Sequence, residues 1–204
     1  MAKHDKIEIG ASAILNPVPV VMVSCAGKDP SKEDQRPNII TIAWAGTVNS
    51  EPPIVSVSIR KSRHSHALIS DTGEFVVNLV NKQLCRSCDL CGVKSGRDID
   101  KFDKCGLTAV KAEGLEYAYA VKEAPVSLSC KVLSVTSLPS HDVFTAEVVK
   151  VTADSYLLDD NGRLCLDNAN LVAYNHGEYF LLGKKLGFFG YSVASEEIIK
   201  KRMG

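Results

Sequence analysis

The sequence has no long hydrophobic run, no net charge, no internal repeat and no dinucleotide fingerprint, and each absence removes a class of protein. No apolar stretch approaches the ~20 residues needed to cross a bilayer, so a membrane partner is not expected. Met1-Ala2-Lys3-His4-Asp5-Lys6 leads into no apolar segment of the kind secretory signals carry, which points to a cytoplasmic address. Twenty-four Lys and Arg balance twenty-four Asp and Glu, so no chain-wide field gathers nucleic acid. The absence of G-x-G-x-x-G leaves any choice between NADH and NADPH unwritten. Seven cysteines, an odd number without a signal segment, do not describe a secreted disulfide framework.

What is present describes one soluble domain over residues 1–204. The 45% hydrophobic and 24% charged fractions exclude a disordered chain or a coiled coil, and the length suits a single core. Most informative segments read as strands: 18–24, 38–44, 54–59, 75–80, 126–135 and 143–151, with Asn49-Ser50-Glu51-Pro52-Pro53 as a strong turn. In 54–59, Ser56 alternates with Val55, Val57 and Ile59, which separates a polar face from an apolar one. Tyr156 to Leu158 leads into a turn at Asp159-Asp160-Asn161-Gly162, and 171–174 with 179–182 are expected to close the sheet.

Helical signals are fewer. Ser62 or Ser65 is expected to cap a short helix through Ala67-Leu68-Ile69 that stops before Gly73. A second spans Lys82 to Cys91 and stops at Gly92. A terminal helix over 195–202 begins with Glu196-Glu197 and ends in bases, as the helix dipole favours. Many short strands without a repeated βα unit predict a mainly β protein, a closed antiparallel barrel with a core of about 10–193 and a few peripheral helices. Residues 27–37 (GKDPSKEDQRP) form the one clearly polar loop.

Two segments invite chemistry. Arg60-Lys61-Ser62-Arg63-His64-Ser65-His66 follows a strand and opens a helix. Guanidinium forks, hydroxyls and free amides at a helix start together suit a phosphate monoester; the alternative is a solvated basic turn. Asn38 to Gly46 offers small or hydroxylated residues at Thr41, Ala43, Ala45 and Gly46, which let a planar ligand approach the backbone; the alternative is a buried strand with Trp44 as core.

These segments, with Glu51-Pro52-Pro53, Phe75-Val76-Val77-Asn78-Leu79, Asp100-Lys101-Phe102, His141-Asp142-Val143-Phe144 and Gly177-Glu178-Tyr179-Phe180, occur in the order seen in the flavin reductase-like, FMN-binding split-barrel proteins. The sequence resembles that family over roughly residues 10–193, and within it the flavoredoxin branch. The resemblance implies an FMN site and a homodimer. Asn38, Thr41, Ile42, Ala43 and Trp44 would face the ring, Ser58, Ile59 and Arg60 the ribityl side, and Ser62, Arg63, His64 and Ser65 the phosphate. Asn78 would reach the ligand from a neighbouring strand, Lys101 and Phe102 would lie near the flavin edge, and Tyr191 would border it. His141 would stand on the nicotinamide side; its alternative is a surface loop residue. Three functions follow: an NAD(P)H-dependent flavin or ferric reductase feeding a small-molecule or protein acceptor, a flavoredoxin-like carrier, or a metal or iron–sulfur protein.

The last rests on Cys85-x-x-Cys88-x-x-Cys91 with Cys105 beyond, which puts three thiols on one helical face. Packing against the barrel, redox-active thiols and a metal or cluster site are its three readings. Cys25, Cys130 and Cys165 read as core, His4 as tail, His176 as a turn residue, and Phe188 to Tyr191 as a lid or dimer contact.

Overall fold

A computed structural model describes residues 5–203, so His4 lies outside the described residues. The chain runs β1 (Val18–Pro19), β2 (Val21–Cys25), β3 (Asn38–Ile42), β4 (Ala45–Ser50), β5 (Pro53–Ile59), α1 (His64–Thr72) and β6 (Glu74–Leu79). It continues through α2 (Cys85–Val93), α3 (Lys101–Cys105), β7 (Ala109–Lys111) and β8 (Tyr119–Val121). Then come β9 (Val126–Ser137), β10 (Asp142–Ala153), β11 (Val172–Asn175), β12 (Glu178–Leu181) and α4 (Glu196–Met203). No helix among the described residues is long and apolar enough to cross a membrane.

Seven strands form one curled antiparallel sheet in the order β3-β2-β6-β9-β10-β5-β4. The period-two pattern of β5 sends Val55, Val57 and Ile59 inward, where they meet Val21, Val23, Ile40, Phe75 and Phe144. The opposite face of β2 and β3, carrying Met22 and Ile39, is covered by Leu84, Cys88 and Cys91 of the α2 region and by Phe102 of α3.

The sheet is split rather than closed. Edge strands β3 and β4 are joined only by Ala43-Trp44, and no ladder pairs them among the described residues. The 38–44 strand stops at Ile42 because the chain must bend there to pass from one sheet edge to the other; the Trp44 carbonyl then accepts from the Ser58 N–H at 3.0 Å.

Strands β11 and β12 do not close the main sheet, as the sequence suggests, but form a separate three-stranded sheet with β1. Both sides of β2 are already taken by β3 and β6, so only the short β1 stretch before it can pair with β11. The segment that leads into the 159–162 turn is a single 3₁₀ turn over Ser155–Leu157. The expected turn after it is present, with the Asp159 carboxylate accepting from the N–H groups of Asn161 and Arg163.

Two helix boundaries also differ. Neither Ser62 nor Ser65 caps α1; Arg63 stands at that position, and the buried Ser65 hydroxyl accepts from Asn38 Nδ2 at 2.7 Å. At the other end Gly73 takes φ 68°, the left-handed conformation expected of it. Helix α2 runs through Gly92 instead of stopping there, because α2 crosses β3 at that point. A Cβ on Gly92 would stand 3.2 Å from that of Thr41, so close approach outweighs helix propensity. His176 sits in the β11–β12 turn at φ 50°.

Candidate functional site

Where β5 ends at Ile59, the chain leaves the sheet at Arg60 and enters α1 at His64. This corner forms one wall of a cavity of about 550 Å³. The turn after α2, Lys94-Ser95-Gly96-Arg97, forms the facing wall, with Asn38 and Lys101 also on the lining. Five cationic side chains border it (Arg60, Arg63, Lys94, Arg97 and Lys101) and no carboxylate does. The walls are stitched together by Arg97 Nη1, which donates to the Ser62 carbonyl at 3.0 Å. Gly96 is required beside Asn38, since a Cβ would collide with the Asn38 carboxamide.

Lys101 is almost wholly buried, and its ammonium donates to the carbonyls of Ile39 at 2.6 Å and Cys91 at 2.8 Å. Burial lowers its pKa, which the two carbonyl contacts oppose by favouring the charged form. His64 stands at the mouth of α1 with Nε2 buried and without a hydrogen-bond partner. Burial, then the positive charges of Arg97 and Lys101, push its pKa down.

A second, flatter hollow of about 300 Å³ is lined by the Ile40–Trp44 segment, Ser58, Tyr174 and His141. It shares Ile40, Arg60 and Arg63 with the cationic cavity, so the two form one continuous cleft. Trp44 is half exposed rather than core, and its ring meets the His141 imidazole edge-on at 4.7 Å. Ser140 Oγ lies 2.8 Å from His141 Nδ1, and burial followed by the Arg60 charge lowers the His141 pKa. The Thr41 hydroxyl donates to the Cys88 carbonyl, tying α2 to this floor.

Asn38, Thr41, Ile42, Ala43, Trp44, Ser58, Arg60, Ser62, Arg63, His64, Ser65, Lys101 and His141 thus all border the cleft. Four expected residues do not. Ile59 points into the barrel core, as period two requires of a neighbour of Ser58. Asn78 is fully buried and spent: its amide donates to the Met22 carbonyl and Ser24 Oγ, and its oxygen accepts from the Val121 N–H and Ser127 Oγ. Phe102 packs in the apolar layer under α2. Tyr191 borders neither hollow and packs on Phe188. Lys61 and His66 also leave the cleft, turning to Asp142 at 3.3 and 2.8 Å. Conversely, Arg97, Lys94 and Tyr174 belong to the cleft and were missed; the basic, small-residue run Lys94 to Arg97 was the available signal.

The cysteine face of α2 is packing. Cys88 and Cys91 are wholly buried and Cys85 and Cys105 pack beside them. Burial pushes the Cys88 and Cys91 thiols up to about 12, far from the thiolate that metal binding or exchange requires. Among the described residues no three His, Cys, Asp or Glu stand together as a metal site. Cys25 and Cys130 are core, but Cys165 is half-buried in a loop beside Arg163.

The curled, split antiparallel sheet with few helices has the flavin reductase-like fold. The chain belongs to the flavin reductase like domain family, whose model matches residues 14–179. It is similar to the solved flavoredoxin of Desulfovibrio vulgaris (Miyazaki F), with a TM-score of 0.84 and 29% identity over 93% of this chain and 100% of that one. Protein YddH of Escherichia coli K12 is 28% identical over 91% of this chain and 98% of its own. A protein of Archaeoglobus fulgidus is 30% identical over 58% of this chain, and the match spans 66% of that relative.

Proposed function

We propose that the protein binds FMN and acts as an oxidoreductase, taking electrons from NAD(P)H and passing them to a small-molecule or protein acceptor. The observation that carries this reading is the continuous cleft, flat at the Ile40–Trp44 end and bordered by five cations and no carboxylate at the other. The donor set suits the group: guanidinium forks at Arg60, Arg63 and Arg97 and the Ser62 hydroxyl match a phosphate, and the unpartnered His64 Nε2 meets it there. The Ile40–Trp44 backbone would hold the ring, with Trp44 and His141 limiting its outer side. When bound, the flavin supplies the electron-transfer chemistry. The chain orients the ring, excludes water from one side and offers fixed positive charge, which is electrostatic preorganisation rather than nucleophilic or acid–base work.

A homodimer belongs to this reading. Leu133 and Val135 of β9 are apolar and half exposed, and a second copy would cover them. Free thiols and the absence of a long apolar helix among the described residues support a cytoplasmic setting. A second reading, a carrier with little nicotinamide turnover, is favoured by the likeness to flavoredoxin.

The absorbance spectrum of the purified protein, followed by titration with FMN, tests the common part. A colourless protein that refuses added FMN overturns both readings. Stopped-flow mixing with NADH and NADPH separates them, since loss of the flavin band within seconds supports the reductase and persistence of the band supports the carrier.

A further inference from the structure

The small sheet of β1, β11 and β12 adds nothing to the inner cluster of the barrel, yet it sends one side chain to the cleft. Tyr174 of β11 lines the flat hollow beside the Ile40–Trp44 segment and takes no part in the lining of the cationic cavity.

Several contacts fix its place. Period two puts Val172 and Tyr174 on one face of β11, and both pack on the apolar layer under α2. The Val172 N–H donates to the Val80 carbonyl at 2.9 Å, and the Lys82 N–H donates to the Asn170 carbonyl at 3.0 Å, which fastens β11 beside the end of β6. In β1, Val18 stands opposite Tyr174.

The other neighbour is aromatic. Tyr179 of β12 is the cross-strand partner of Tyr174, and the two rings meet edge-on with centroids 5.7 Å apart. The Tyr179 hydroxyl in turn donates to Asp89 Oδ1 of α2 at 3.0 Å. Burial, then this hydrogen bond, raises the Tyr179 pKa, so the phenol keeps its proton and remains the donor. Packing under α2 and on Tyr179 accounts for part of the Tyr174 side chain; the rest is wall of the hollow. A ring held in this way offers contact to a flat ligand with little further loss of side-chain freedom.

We infer that Tyr174 is the side chain that meets the flavin ring from the small sheet, and that Tyr179, tied to Asp89 of α2, is a positioning residue that sets its orientation. This rests on the flavin reading above, since it assigns a contact within the hollow proposed for the ring.

The test separates ring contacts from phosphate contacts. In calorimetric titrations of the full-length protein with FMN and with riboflavin, Tyr174→Leu should weaken both ligands alike, by about tenfold, the order expected of one aromatic contact. Tyr174→Phe should bind both as wild type does, and Tyr179→Phe should show a smaller loss, again equal for the two. Emission gives a readout that does not depend on the leucine variant folding, because an indole or phenol touching a flavin ring quenches its fluorescence and a phenyl ring does not. FMN bound to Trp44→Phe should therefore stay dark, and FMN bound to the double variant Trp44→Phe with Tyr174→Phe should emit nearly as strongly as free FMN. A loss confined to FMN, unchanged binding by Tyr174→Leu, or equal emission from those two proteins would overturn the assignment of Tyr174 and leave the FMN reading intact. Tyr179→Phe binding as tightly as wild type would remove the positioning role. Refusal of both flavins by the wild type would overturn the inference and the flavin reading together.

Discussion

Among single residues, Lys101 and Arg97 divide the work of the cationic cavity. Lys101 is held by two main-chain carbonyls, which fix its charge at the cavity wall. Lys101→Met would leave both carbonyls without a donor inside the protein. The urea midpoint should fall by an amount equivalent to about 2 kcal/mol or more, as expected for buried acceptors left unpaired. Arg97 makes one backbone contact and keeps the rest of its guanidinium for the cavity. Arg97→Ala should weaken FMN by roughly 1.5–3 kcal/mol, the usual range for a hydrogen bond to a charged group, and leave riboflavin nearly unaffected. Calorimetric titration with both ligands checks this, and equal losses would show that Arg97 does not face the phosphate. The Arg60–His66 cluster was legible in the sequence because its members are contiguous. Arg97 was not, because the turn between α2 and α3 brings it there across the fold.

Elements carry a different kind of information. In α2 the three-residue spacing correctly put Cys85, Cys88 and Cys91 on one face, but spacing does not say whether that face meets solvent, a metal or Met22 and Ile39. A thiol reagent such as DTNB, applied to the native protein, should therefore reach at most Cys85, Cys105 and Cys165. Cys25, Cys88, Cys91 and Cys130 should react only on unfolding; rapid native labelling of Cys88 or Cys91 would refute the packing assignment.

Another elemental tie joins α1 to β10, where His66 Nε2 lies 2.8 Å from Asp142 Oδ2 and Lys61 stands 3.3 Å from the other oxygen. The hydrogen bond from His66 is the main reason that the Asp142 pKa is lowered. A carboxylate with a depressed folded pKa adds stability that is fully present above its unfolded value, about 3.9, and is lost as pH falls through the folded one. Asp142→Asn should thus flatten the acid limb of the stability curve below about pH 4, measured by urea unfolding across pH. An unchanged acid limb would remove Asp142 from the tie.

At the scale of the whole molecule, the split between β3 and β4 leaves the cleft at a barrel edge, close to surfaces that one chain does not cover. Leu133 and Val135 of β9 are apolar yet 55% and 49% exposed. Leu133→Glu with Val135→Glu should convert the proposed homodimer to a monomer in light scattering, without loss of the far-ultraviolet signature of the fold. Persistence of the dimer would place the contact elsewhere.

The sequence by itself determined the β-rich class, most strands and the basic corner at the start of α1. These depend on local periodicity, turn chemistry and contiguous charge, which neighbouring residues set among themselves. Only the tertiary structure decided that the barrel is split, that β11 and β12 pair with β1, that Asn78 and Phe102 are core, and that Lys94 to Arg97 completes the cleft. Those outcomes turn on which strand finds an edge already occupied and which side chain finds its hydrogen bonds satisfied. Both depend on residues tens of positions away, whose arrival no local pattern records.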